Sequence, residues 1–287
     1  MMVPRTLFFL SIGQVSGVGC QKLNDSKGTP MRDPHVVSLH YTLETGQQLV
    51  FNDPPPVERE LDSFIIRLDN GRLHVEMKDH FSTVVAARLE VEPFLRSWEI
   101  KAALRYGPDA ITFAFDGPEV IDRDPPPPGA SVIAPMAGAA TIGSGCTVVQ
   151  FTRTEYPDPP DAFVASPDVV ALWDRYEHFL AGRGDLLTSV AWWCLTTIQG
   201  RNGGRQQAAA RYSIRDDVLE TLARLAHGGD EKTARKQFPE QILRPHTPVE
   251  IAWMKCAIPR IIQRAGEWAA DPDRGWPQIT MGDFPKL

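Results

Sequence analysis

Strand-like alternation stops at Pro160 and does not return, and this constrains the fold more than any other feature of the chain. Up to Tyr156 apolar residues recur mainly at every second position, with one helical interval; after Pro160 they recur every 3.6 residues. The expectation is an α+β protein: an N-terminal β-hairpin-containing sheet with a kinked helix, followed by an all-α bundle of four to five helices.

In the first half, His35 to Glu44 alternates, with Val37, Leu39, Tyr41 and Leu43 on one face and Ser38, His40, Thr42 and Glu44 on the other. Two alternating runs, Ser63 to Lys78, surround Asn70-Gly71, a dipeptide that accepts the positive φ angles of a type I′ turn. A two-residue loop there pairs Leu68 with Leu73, Ile66 with Val75 and Phe64 with Met77 on one face, and Arg67 with His74 and Asp69 with Arg72 on the other. Ser82 is placed to cap a helix from Thr83 to Gly107, in which Pro93 removes a backbone donor and predicts a kink or two abutting helices near Glu92. Ile111, Phe113 and Phe115 mark another strand, and Thr147 to Thr154 a further one.

In the second half, Ser166-Pro167 is an N-cap followed by a first-turn proline, and Val169, Leu172, Trp173, Tyr176, Phe179 and Leu180 form a stripe. Leu186 to Ile198 is apolar almost all round and reads as the buried centre of the bundle. Ser213 with Asp216 opens the next helix, and Thr247-Pro248-Val249-Glu250 combines a capping box with a first-turn proline before a helix bent at Pro259. Trp173, Trp192, Trp253 and Trp268 fall at core spacing, whereas Trp193, beside Trp192 and a quarter-turn round the helix, needs a buried surface of its own.

The resulting division is residues 1–30, a disordered tail or mis-assigned start ahead of Met31; 31–156, the α+β domain, with an uncharged Pro/Ala/Gly-rich insert at 125–145; 161–270, the helical domain; and 271–287, an extended C-terminal tail. Of 25 prolines, ten fall in three runs, at 54–56, 125–128 and 157–160, which read as linkers.

Formal charge is -6 and neither half is net basic, which disfavours a typical DNA-binding domain. Cys20, Cys146, Cys194 and Cys256 have neither disulfide-framework nor zinc-ligand spacing, and Cys194 and Cys256 read as small apolar residues in helices. The plain reading is a cytoplasmic protein without a membrane span; an export or lipid-anchor signal in residues 1–20 is the alternative. No phosphate-binding loop, zinc-protease or serine-hydrolase motif is present, so no cofactor is expected and no catalytic residue is assigned.

Three functional readings remain. The leading one is a non-catalytic binding or regulatory protein that engages a protein partner or itself. A second is a nucleic-acid-binding protein using Arg201, Arg205, Arg211 and Arg215, which lie in a stretch without acidic residues around Asn202-Gly203-Gly204. The third is a metal-dependent hydrolase around His74, Glu76 and His80, where His74 and Glu76 share a strand face. His35 and His40, five apart on a strand, are expected to point to opposite faces.

Overall fold

The computed structural model describes residues 31–46, 49–124, 151–184, 186–228 and 244–287. Among the described residues seven strands, β1 (Pro34–Glu44), β2 (Leu49–Phe51), β3 (Val57–Glu60), β4 (Phe64–Asp69), β5 (Arg72–Met77), β6 (Thr112–Asp122) and β7 (Phe151–Arg153), accompany six α-helices. These are α1 (Val84–Tyr106), α2 (Pro167–Leu180), α3 (Leu187–Gly200), α4 (Arg205–Arg211), α5 (Asp216–His227) and α6 (Pro248–Ala270). The architecture is mixed α+β. The main sheet has the order β3-β4-β5-β1-β6 with every neighbour antiparallel, and β2 and β7 form a separate parallel pair.

The β4–β5 hairpin has the register set by its turn: Phe64 faces Met77, Ile66 faces Val75 and Leu68 faces Leu73. Asn70 and Gly71 adopt φ of 48° and 72°, as a type I′ turn requires. Strand β1 departs from simple alternation. A register shift against β6 between Val36 and Ser38 adds one residue, so Val36 rather than Val37 enters the core with Leu39 and Tyr41. The same shift reverses the parity of everything before it, and His35 ends on the outer face with Ser38 and His40. Strands β2 and β3, three and four residues long, carry too few positions to show a period.

Helix α1 is capped by Thr83, whose hydroxyl accepts from Ala86 N, one residue later than expected. It continues through Pro93, as α6 does through Pro259. α1 covers the inner face of the sheet with Val91, Leu95 and Trp98, while its Ile100 and Ala103 join the core of the helices. In that second core α3 packs against α2, α4, α5 and α6, which makes it the centre of the bundle. Ser166 caps α2 and Thr247 with Glu250 forms the capping box of α6, both as the sequence indicates. α5, by contrast, starts at Arg215 with no side-chain cap. Cys194 is buried, with its thiol pushed up to about 12 by burial, but Cys256 is exposed on α6 and is not a core residue.

The run 157–160 is packed, not a loose linker. Pro157, Pro159 and Pro160 are buried against α1, where Trp98 Nε1 donates to the Pro157 carbonyl at 2.9 Å and Lys101 Nζ to the Pro159 carbonyl at 3.3 Å. A proline brings no N–H into the interior, so only its carbonyl has to be satisfied. The C-terminal residues are docked as well. Ile279 bridges Ile214, and Phe284 is buried against Trp253.

Arg264, on α6 and 0 % exposed, holds that docking in place. Its Nε pairs with Glu267 at 2.8 Å, and its two terminal nitrogens donate to the carbonyls of Tyr212 at 2.8 Å, Ser213 at 3.1 Å and Pro277 at 2.8 Å. All three donor nitrogens are engaged, so the buried charge is compensated. Arg264→Met should cost about 3–5 kcal/mol in urea unfolding, because three carbonyls lose their donor together and Glu267 keeps only Gln263 and Arg260.

Glu250 gives a pH dependence of known sign. Bonds of 2.8 and 2.7 Å from Arg244, with the Thr247 backbone N–H, hold its carboxyl down to about 2 against an ordinary 4.5. A carboxyl depressed in the folded state contributes stability above its unfolded value and loses it as the pH falls through the folded one. Glu250→Gln should therefore flatten the loss of stability between about pH 4.5 and 2, and cost about 1–2 kcal/mol at pH 7, both read from unfolding curves across pH.

Candidate functional site

On the outer face of the main sheet, register places His74 of β5 between Arg67 of β4 and His40 of β1. Ser38, two residues from His40, lies between Glu76 of β5 and Glu119 of β6. The contacts form a row: His74 Nδ1 meets His40 Nδ1 at 3.4 Å, His40 Nε2 meets Ser38 Oγ at 3.2 Å, and Ser38 Oγ donates to Glu119 Oε2 at 3.2 Å. Ser38 is only 1 % exposed, which its two hydrogen bonds make tolerable. Burial lowers the pKa of His74, as do His40 and Arg67, while Glu76 and Glu119 act to raise it.

The expected trio of His74, Glu76 and His80 is divided. His74 and Glu76 share the outer face. His80, past the end of β5, stacks on His35 at 5.0 Å and contacts Asp33 at 3.4 Å and Arg123 at 3.3 Å. The chain leaves the strand at Met77, so strand parity no longer governs where His80 points. Among the described residues no group of three His, Cys, Asp or Glu could hold a metal ion.

The four arginines are mostly engaged within the chain. Arg201 pairs with Asp168 at 3.1 Å and Arg215 with Asp217 at 2.6 Å. Arg211 donates to Asn202 at 2.5 Å and lies 3.9 Å over the Trp268 ring. Arg205, at the start of α4, has a buried Nε without a hydrogen-bond partner among the described residues. Asp168, which pairs with Arg201, and Trp268, under Arg211, come from elsewhere in the fold, which is why a stretch without acidic residues gave no sign of them.

A third surface joins α1, α2 and α3. Near its start α1 exposes Val85 (68 %) and Leu89 (69 %), four apart and therefore on one side of the helix. Pro93, having no N–H, leaves the Leu89 carbonyl without its helical partner. Beside this ridge lies a groove of about 710 Å³ lined by Leu89, Pro93, Ala165, Val170 and Ala171. On the other side of Pro167 and Ala171, a second groove of about 520 Å³ is lined by Trp193, Thr196, Thr197 and Arg201. Trp193 is 43 % exposed, so the separate buried surface it calls for is not supplied within the described residues. Ion pairs Arg88–Glu92 at 2.5 Å, Arg96–Asp174 at 2.9 Å and Arg201–Asp168 edge the grooves with both signs of charge.

No family model matches the chain, and no curated protein and no solved structure matches it either. No helix among the described residues is long and apolar enough to cross a membrane.

The two tryptophan environments separate core from surface. Trp98→Ala should cost about 3–5 kcal/mol in urea unfolding, whereas Trp193→Ala should change stability by less than about 1 kcal/mol.

Proposed function

We propose that this chain is a non-catalytic binding protein that associates with a second copy of itself through the α1–α2–α3 surface. What carries the reading is an exposed apolar ridge, Val85 and Leu89, beside an apolar groove on the same surface. A two-fold contact needs a patch complementary to itself, and a ridge next to a groove supplies one: each copy's ridge enters the other's groove. The rim supports the same occupant. Its pairs are balanced in sign, so it offers no electrostatic attraction to a strongly charged partner and fits a rim equally balanced. Trp193 adds a large, partly desolvated aromatic of the kind that anchors interfaces. The nucleic-acid reading has less support, because Asp168 and Asp217 already neutralise Arg201 and Arg215.

Sedimentation velocity over a range of concentrations tests the proposal. The chain should form dimers that dissociate on dilution, and Leu89→Glu should shift it to monomer with an unchanged circular dichroism spectrum. A chain that stays monomeric at its highest soluble concentration, or a Leu89→Glu variant that dimerises as the parent does, overturns it.

A further inference from the structure

The C-terminal end of α2, the start of α3 and the first turns of α6 border a cavity of about 350 Å³. Its walls are apolar, formed by Phe179 of α2, Leu187 of α3 and Ile251 and Met254 of α6, and Lys255 stands among them. We infer that this cavity binds a small amphipathic carboxylate, a medium-length aliphatic chain ending in one carboxylate group, whose anionic end pairs with Lys255. The site is separate from the association surface, where the groove of Trp193 lies at the opposite ends of α2 and α3, around Pro167 and Thr196.

Size selects a small molecule. Ligand cavities run from about 300 to 1,000 Å³, whereas an α-helix with its side chains is about 10–12 Å across and needs a long groove. Wall chemistry selects an aliphatic body. Leu186 and Ile251 are 44 % and 36 % exposed at the rim, so a ligand chain would cover them, and the flexible thioether of Met254 lets the wall adapt to it. His246 closes one side, its ring held by Nε2, which donates to the Leu225 carbonyl at 2.9 Å.

Charge selects the head group. Among the described residues no Asp or Glu lines the cavity, and Lys255 is its one lysine or arginine. The Lys255 ammonium lies 6.0 Å from the centroid of the Phe179 ring, over the cavity wall, and no carboxylate of the described residues pairs with it. Glu250, on the same helix, is already engaged by Arg244 and by the Thr247 cap. A neutral hydrocarbon entering here would strip water from the ammonium and give it no partner, and a cationic ligand would be repelled. A carboxylate replaces that water with a charge-assisted hydrogen bond.

Isothermal titration of the full chain with sodium octanoate, and with 1-octanol as its uncharged counterpart, tests the assignment. One octanoate per chain should bind, and octanol should bind more weakly. Lys255→Gln should weaken octanoate binding about fivefold and leave octanol binding unchanged, and Ile251→Trp, which fills the cavity from its rim, should abolish both. Leu89→Glu, on the association surface, should bind octanoate as the parent does, so loss of dimers and loss of this site are read separately. Circular dichroism confirms that each variant is folded. No saturable uptake of octanoate by the parent, octanol binding as tight as octanoate, unchanged octanoate binding in Lys255→Gln or Ile251→Trp, or equal loss in Leu89→Glu overturns the assignment.

Discussion

Helix α1 satisfies the backbone of the segment that joins the sheet to the helices, and much of the remaining structure depends on it. Three side chains of one stretch take a group of that segment, Ser97 Oγ accepting from Ala165 N at 2.9 Å, Trp98 donating to Pro157 and Lys101 donating to Pro159, while Glu99 among them accepts from Phe113 N of β6 at 2.9 Å. A connecting segment buried without such partners would leave several main-chain groups desolvated and unpaired, at a cost of about 1–3 kcal/mol for each. Because these partners lie within five residues of one rigid helix, the segment's position is fixed relative to both cores. Arg96 extends the pattern to α2 through Asp174. The change of periodicity at Pro160 is thus a change of element type across a shared helix, and Ile100 and Ala103 of that helix belong to the second core.

Legibility from sequence followed how local the determining physics was. The β4–β5 register, the Ser166 cap and the Thr247–Glu250 capping box depend on residues at most a few positions apart, and each stands in the structure as read. The bulge in β1 depends on its pairing with β6, about eighty residues away, so alternation alone put Val37 inside. The same non-locality hid the role of Arg264. An arginine in a largely apolar helix gives no sign that its carbonyl partners come from residues 212, 213 and 277. The C-terminal residues read as an extended tail because little in their own sequence shows that Ile279 and Phe284 have a surface to enter.

The site followed the same rule. His74 stood out because it lies in a dense run of ligand-type residues, and the alternation of β1 already placed Ser38 and His40 together on its outward face. Which strand would lie beside β5 is not readable from sequence, so the spacing groups His74 with His80, which lies beyond the end of β5. In a sheet the closest side-chain neighbours are cross-strand ones, some 4.5–5.5 Å apart between Cβ atoms, and they are remote in sequence.

An antiparallel sheet with one covered face is expected to present a plainly solvated face on the other side. This one does not. Ser38, at the centre of the outer face, is almost wholly buried, and a buried hydroxyl is favourable only where its hydrogen bonds are made. Glu119 and His40 make them, and in doing so they fix the ring of His40 against that of His74. An ordinary wet surface would be served as well by threonines and lysines, which need no such arrangement. A chain of four polar side chains across three strands is specific to their order, and that order leaves two imidazole nitrogens directed at one another.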